Sequence, residues 1–256
     1  MSASNVGLLD ATRLGRGVVN VGIFVTALFP PDLSVLPTLA KAMLETIQIA
    51  FVGTALGFFV ALPLALAASP QLSGPTVSGG VRLLLALIRT VPSLFWGIVF
   101  VVAVGLGPAA GTLAIALYSL GYLGKLLYET FEAVDPEVVE AVRSVGCSRP
   151  QLAMYAILPE AASAVLAQLL FMFEYNVRAS SIMGFVGAGG IGFYLLGYIQ
   201  MLRYDHLTTA LLVTFVVVVL LDRLSASVRR RFLLSSAAPT AAVSKRPVTA
   251  LDGATI

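Results

Sequence analysis

The sequence predicts an all-α, polytopic membrane protein with about six transmembrane helices, because its composition is too apolar and too weakly charged for a soluble domain. Of its 256 residues, 58% are hydrophobic and 11% are charged, whereas soluble domains carry about 25% charged residues. The mean hydropathy is +0.95. One compact core could not remove that much apolar surface from water, but helices that face lipid can expose it. We therefore expect a transmembrane domain over residues 1–232. Residues 233–256 are rich in Ser, Ala, Thr and Pro, which predicts a disordered cytoplasmic tail.

The chain has too few cysteines and histidines for a small domain stabilised by disulfides or by structural zinc. The chain has one cysteine, Cys147, and one histidine, His206, so we expect neither an intrachain disulfide nor a metal centre. Lys and Arg total 16 against 13 Asp and Glu. Since no basic stripe carries interleaved aromatic side chains, this excess indicates membrane topology and not a nucleic-acid partner.

The first two spans follow from apolar runs that approach the length of about 20 residues needed to cross a bilayer. Residues 17–29 form a short apolar run preceded by Arg13 and Arg16, a pattern that also fits a signal peptide. The run lacks a small-x-small cleavage site, which favours a first span over residues 11–29. Residues 47–68 form the second span, and the Ser, Pro and Gly residues of 69–80 predict a loop after it.

Four further spans complete the count of six. Residues 90–124 carry no charge, but the turn signal at residues 105–108 divides them. The third span is expected to begin near Arg82 and to carry Arg89 and Pro92 into the membrane boundary, and the fourth covers residues 109–127. The fifth and sixth spans are predicted at residues 157–175 and 206–221.

Residues 179–202 are uncharged and long enough to cross the membrane, but we predict that they do not span it. Six glycines interrupt the segment, and each costs up to about 1 kcal/mol in a helix interior relative to Ala. A seventh span would also separate the two basic ends of the chain, whereas six spans place both termini in the cytoplasm. Residues 179–204 are therefore expected to lie outside or to re-enter the membrane. The outer-loop glycines are Gly187, Gly189, Gly190 and Gly192.

Two glycine patterns resemble nucleotide-binding signals but lack the required context. Residues 187–192 match G-x-G-x-x-G, yet that fingerprint needs a βαβ unit and a following acidic residue. Residues 121–125 have a G-x-x-G-K spacing that is shorter than the P-loop pattern. We therefore expect no cofactor in this chain.

The charged loop at residues 129–159 carries the clearest functional signal. Asp135 and Pro136 predict a helix start, and Gly146 predicts its end. Between them, valines at positions 138, 139, 142 and 145 fall on one face. A second helical segment is expected at residues 151–156. A short amphipathic helix displayed between two spans is suited to docking into a groove of a soluble partner.

This loop resembles the EAA loop of ABC importer permeases, whose pattern is E-A-A, three residues, G, nine residues, I, one residue, L-P. The spacing matches throughout, with Val142 in place of the second alanine and Ala156 in place of the isoleucine. The resemblance implies the type I importer permease fold and docking of the loop to a pair of separate ATPase subunits, which bind ATP and Mg²⁺. The expected coupling residues are Pro136, Glu137, Glu140, Ala141, Val142, Val145, Gly146, Leu158 and Pro159.

A narrower resemblance, to the phosphonate-type permeases, extends over residues 29–232. The motifs that carry it are F-P-P-D-L-S at 29–34, L-E-T-I at 44–47, R-T-V-P at 89–92, F-E-Y-N-V-R-A-S at 173–180 and G-A-G-G-I-G at 187–192. Permeases for phosphite and hypophosphite have similar sequences. The resemblance implies an extracytoplasmic binding protein that delivers the ligand and a second permease, identical or related, across a central path in the bacterial plasma or inner membrane.

Polar residues near the predicted outer end of the fifth span are candidates for the substrate path. Ionised groups there are costly unless they are paired or face water. One interpretation is a structural ion pair between Glu174 and Arg178 at i, i+4. The other is that Arg178 and neighbouring donors attract an oxyanion. The path candidates are Arg89, Glu174, Tyr175, Asn176, Arg178, Ser180 and Ser181, although Arg89 could also extend along the membrane to reach its interface.

Two other classes of membrane protein fit the sequence less well. An ATP-independent secondary transporter would carry inverted repeats or a chain of intramembrane charges, and neither is clear. An intramembrane protease would need a buried nucleophile and base, but the one histidine lies at a predicted interface. The sequence therefore favours a transport subunit that is not itself an enzyme.

Overall fold

The computed structural model describes residues 11–236, which form α-helices joined by turns, with no β-strand among them. The helices are α1 (Ala11–Ala27), α2 (Leu36–Ala68), α3 (Pro70–Ser73), α4 (Pro75–Thr90), α5 (Ser93–Val104), α6 (Pro108–Glu132), α7 (Pro136–Ser144), α8 (Arg149–Leu152), α9 (Leu158–Met183), α10 (Ile191–Gln200) and α11 (Tyr204–Ser236). The predicted all-α class is confirmed. Helix α11 continues through residues 233–236, where a tail was predicted, and the remaining predicted tail lies outside the described residues.

The number of membrane-length helices is smaller than the predicted six. Among the described residues, α2, α6, α9 and α11 are long and apolar enough to cross a membrane, and the bent pair α4 and α5 adds a fifth when it is counted as one span. The apolar part of α1 is the short stretch Gly15–Ala27, below the roughly 20 residues that a span needs. A count of six is therefore not confirmed.

The predicted loop at residues 69–80 is wrong, because this segment forms α3 and the start of α4. Pro70 and Pro75 each occupy the first turn of a helix, where the missing N–H of proline removes no hydrogen bond. Gly74 separates the two helices with a φ of +81°. The helices of the predicted third span therefore begin at Pro75 and not near Arg82. They bend by 85° between α4 and α5, around the extended residues Val91 and Pro92.

The centre of the bundle is the contact of α2 with α6, completed by α9. Gly57 allows the close approach, since a Cβ there would lie 2.7 Å from the Ala116 carbonyl oxygen. A polar clamp ties the three helices together at mid-length. The fully buried Asn176 of α9 donates from Nδ2 to Thr54 Oγ1 of α2 and to Ser119 Oγ of α6, both at 2.7 Å.

The glycine-rich segment packs against the end of the bundle away from α7. The Gly190 N–H donates to Glu45 Oε1 at 2.9 Å, and the Ile191 N–H donates to Thr46 Oγ1 at 2.8 Å. Gly190 has a φ of +74°, and a Cβ there would lie 2.6 Å from Thr46 Oγ1. Because α10 has ten residues, it is about 15 Å long and too short to span the membrane.

Candidate functional site

Helix α7 lies where the sequence predicts an amphipathic helix, and its ends are set by local signals. The Asp135 carboxylate accepts a hydrogen bond from the Glu137 N–H at 2.9 Å, which satisfies one of the free donors of the first turn. Pro136 occupies the first turn. Gly146 ends the segment with a φ of +82°, a conformation that glycine adopts without steric cost.

One valine anchors α7 to the membrane helices, and the others are progressively more exposed. Val139 is 5% exposed and belongs to a core cluster that includes Phe131 of α6 and Ile157 before α9. Val138 and Val142 pack on the edge of that cluster. Val145 falls on the same predicted face, but it is 85% exposed, because it lies past the last turn of α7, where no neighbouring element covers it.

The outward side of the loop presents charge and apolar surface together. Pro136, Glu137, Glu140 and Ala141 are exposed, and within residues 11–236 the Glu140 carboxylate makes no ion pair. Behind Val145, a surface cavity of about 540 Å³ is lined by Ala141, Val142, Val145, Gly146, Cys147, Gln151 and Tyr155. Such a surface, apolar at its centre and charged at its rim, is typical of a site for a protein partner.

Sequence reasoning missed the exposure of Met154 and Tyr155, which are 65% and 74% exposed, and Tyr155 lines this cavity. They lie in a π-helical turn, Ala153–Ile157, whose extra residue rotates the side chains before α9 begins. A period of 3.6 residues does not predict that rotation. The remaining predicted coupling residues, Leu158 and Pro159, form the first turn of α9, with Leu158 half-buried and Pro159 exposed.

Glu174 and Arg178 of α9 form ion pairs with residues of α11 and not with each other. The interpretation of Glu174 and Arg178 as an i, i+4 ion pair is therefore wrong. Arg178 Nη1 lies 3.3 Å from Asp222 Oδ1, and Arg229 Nη2 lies 3.5 Å from Glu174 Oε1. The two helices pack side by side, which brings opposite charges from α11 within reach of α9. These residues also lie near the level of the Asn176 clamp, and not at the outer end of the span.

Arg178 lines a cavity of about 290 Å³ between α5 and α9. Its walls are Ser93, Leu94, Tyr175, Arg178, Ala179, Ile182 and Met183. The Tyr175 hydroxyl accepts a hydrogen bond from Tyr118 at 3.2 Å, with the two rings stacked 5.8 Å apart. Its own proton is therefore available to another acceptor. Arg178 is about half exposed, so the cavity offers a cation and a hydroxyl donor.

The other path candidates take different positions. Asn176, Ser180 and Ser181 are buried within the bundle, and Ser181 donates to the Val177 carbonyl at 3.1 Å. These three side chains do not line the Arg178 cavity, although the sequence grouped them with Arg178. Arg89 is half-buried in the last turn of α4, next to the bend.

A small polar cluster joins the start of α2 to the start of α11. Asp32 Oδ2 lies 2.9 Å from His206 Nε2, and hydrogen bonds from Ser34, with a smaller contribution from His206, lower the pKa of Asp32 to about 2. The ligand atoms of Asp32, Asp205 and His206 are close enough to hold a metal ion. However, Arg203 Nη2 lies 2.6 Å from His206 Nε2, and this charge opposes a cation there.

The chain matches known proteins over most of its length. Residues 53–233 match the family described as binding-protein-dependent transport system inner membrane component. A phosphite transport system permease protein of Stutzerimonas stutzeri is 38% identical over 89% of this chain and 83% of its own length. A phosphate-import permease protein of Mycolicibacterium smegmatis is 39% identical over 84% of this chain, but over 40% of its own greater length.

Solved structures share the fold. An inward-facing methionine ABC transporter aligns with 78% of this chain and 99% of its own, with a TM-score of 0.69 and 21% identity. An amino acid ABC transporter aligns over 78% and 96% of the two chains, with a TM-score of 0.66 and 22% identity. These likenesses support the helical arrangement alone. Since the family match spans more than half of the sequence, this multi-pass membrane protein belongs to the permease family of binding-protein-dependent ABC importers.

Proposed function

We propose that this permease imports a small phosphorus oxyanion, with a phosphonate as the first candidate and phosphite or hypophosphite as the alternative. The observation that carries the proposal is the Arg178 cavity near the middle of the bundle. Its guanidinium and the Tyr175 hydroxyl suit the charge and hydrogen-bonding capacity of such an anion. The proposal is supported by relatives that are named as phosphite and phosphonate permeases.

Asp222 keeps the charge of Arg178 paired while the cavity is empty. An oxyanion and the Asp222 carboxylate compete for the same guanidinium, 3.3 Å from Asp222 in this structure. A ligand that passes Arg178 therefore replaces the ion pair, which forms again after the ligand has left. This exchange avoids leaving an unpaired charge within the membrane, which is costly.

The partners of this permease are assigned to the two ends of its helix bundle. We place α7 and both termini in the cytoplasm, an orientation that requires α1, with its 17 residues, to cross the membrane as a sixth span. The surface around Glu140 and Val145 then binds an ATPase subunit. In the complete importer this permease pairs with a second copy of itself or with a related permease. Two ATPase subunits bind inside the cell, and a binding protein delivers the ligand outside. ATP hydrolysis belongs to the partner subunits, and this chain supplies the path through the bilayer.

The substrate proposal is tested by ATP-dependent uptake of labelled methylphosphonate and phosphite into vesicles that contain the assembled importer. Losing one charge-assisted contact removes about 1.5–3 kcal/mol. The Arg178→Ala variant is therefore expected to take up substrate at least about tenfold more slowly at subsaturating concentration, while the ATPase still co-purifies.

Asp222→Asn is the matched control for this experiment, because it breaks the same ion pair but keeps the guanidinium. It is expected to retain most of the uptake. Normal uptake by an assembled Arg178→Ala complex would remove Arg178 from the path. Equal losses in both variants would show that the ion pair, and not substrate contact, is what transport requires.

A further inference from the structure

A third cavity lies beside α7, the coupling helix, and shares Cys147 with the cavity behind Val145. Its volume is about 640 Å³. Its walls come from the turn around α3 and from α7 and α8, and the lining residues are Pro70, Gln71, Gly74, Pro75, Arg143, Cys147, Arg149 and Leu152. The cavity therefore bridges the loop that carries the coupling helix and the ends of the transmembrane helices.

The electrostatic character of this cavity is basic. Two arginines line it, and no acidic side chain does so among the described residues. Arg143 Nη2 donates to the Gln71 carbonyl oxygen at 3.3 Å, which leaves its positive charge without a counterion. Within residues 11–236, the Arg149 guanidinium makes no hydrogen bond or ion pair. Two guanidinium groups that face one cavity repel each other unless an anion lies between them.

The cavity lies at one end of the membrane-spanning helices. Helix α2 ends at Ala68, whose carbonyl oxygen accepts from Arg82 Nε at 2.9 Å. Arg82 also pairs with Glu132 at the end of α6. The turn around α3 begins two residues after Ala68, so the cavity lies beside the α7 end of the membrane-spanning helices. Basic pockets near the cytoplasmic ends of such helices bind anionic headgroups.

We propose that this cavity binds a phosphate-bearing anion, either the headgroup of an acidic phospholipid or free phosphate, which holds the coupling helix against the α3 turn. Planar guanidinium groups bind phosphate oxygens in pairs, and a ligand shared by Arg143 and Arg149 joins α7 and α8 to the ends of α2 and α4. The inference rests on the proposed cytoplasmic position of α7. Occupancy of this site, set by membrane composition or by the phosphate concentration, would control how firmly α7 is held against the membrane helices.

Cys147 gives a direct measurement of occupancy, since it is the one cysteine of the chain and lines the cavity. The assembled importer is placed in vesicles of phosphatidylcholine alone, in vesicles that also contain phosphatidylglycerol, and in phosphatidylcholine vesicles with inorganic phosphate. The rate at which N-ethylmaleimide alkylates Cys147 is then followed by mass spectrometry of this chain. No ATP or transported substrate is needed, so failure here is separate from failure of the proposed function.

We expect one of the two anion sources to slow alkylation about threefold or more. In the assembled importer the ATPase covers the cavity behind Val145, so the reagent reaches the thiol through the empty basic cavity, whose fraction falls as 1/(1 + [L]/Kd). Slowing by phosphatidylglycerol identifies a lipid headgroup, and slowing by phosphate identifies the free anion. The Arg143→Gln/Arg149→Gln variant should lose the effect, whereas Arg230→Gln, an exposed arginine of α11, should keep it. If the double variant does not assemble, Arg149→Gln alone serves, since its guanidinium makes no contact within residues 11–236.

A second reporter separates occupancy from a general effect of lipid on the loop. Ser144→Cys in a Cys147→Ser chain places the thiol on an exposed position of α7 that does not line the cavity, so its alkylation should not change. Equal Cys147 rates in all three conditions, or slowing that persists without the two arginines, would overturn the proposal.

Discussion

Replacing Val145 with alanine is expected to weaken binding of the ATPase subunit about tenfold without destabilising the permease. The substitution removes the equivalent of two methylene groups, worth about 0.8 kcal/mol each when they are fully buried. Val145 is 85% exposed in the free chain, so a partner that covers it can bury nearly all of that area. The loss is then about 1.4 kcal/mol, which is a factor of about ten in affinity.

The affinity is measured between the purified permease in detergent and its isolated ATPase, with Val102→Ala as the matched control. Val102 is also a valine and is 82% exposed, but it lies on α5 toward the end of the bundle away from α7. Its replacement should leave ATPase affinity unchanged. A Val145→Ala permease that binds the ATPase within about twofold of wild type would refute the claim that this surface is the docking site.

Two further predictions concern the bundle itself. Asn176→Ala should lower the free energy of unfolding by about 1.2 kcal/mol, since two interhelical hydrogen bonds are lost at about 0.6 kcal/mol each; titration with a denaturing detergent measures this, and an unchanged midpoint would contradict it. Gly190→Ala should cost about 1–3 kcal/mol, because it introduces a Cβ at a positive φ next to Thr46. Gly197→Ala is its control, since a Cβ at Gly197 meets nothing within 4 Å; equal thermal stabilities of the two variants would count against this account of the glycine-rich segment.

The parts of the fold that follow from neighbouring residues could be predicted from the sequence. Helix α7 was predicted within a residue or two, because Asp135, Pro136 and Gly146 act on the backbone beside them. The same local reading failed at residues 69–80, where Pro70 and Pro75 were taken as signs of a loop although both start helices. Proline permits either structure, and the packing of α4 against α6 decides between them.

The partners of charged residues could not be predicted, because they depend on tertiary packing. Glu174 and Arg178 are one helical turn apart, which suggested a pair, but their partners in α11 lie 55 and 44 residues away in sequence. Exposure of Tyr155 was missed for a similar reason, since it depends on a π-helical turn. The burial of Asn176 could not be predicted either, because it depends on Thr54 of α2 and Ser119 of α6 lying next to it in the folded bundle.

The most direct test of the central claim is ATP-driven uptake by the purified permease and ATPase subunits in vesicles, with substrate-loaded binding protein outside and ATP inside. Accumulation of methylphosphonate or phosphite that vanadate abolishes, and that Glu140→Arg uncouples from ATP hydrolysis, is the predicted result. Accumulation of the same size without ATP, driven by an ion gradient and unaffected by Glu140→Arg, would contradict the assignment as an ABC importer permease.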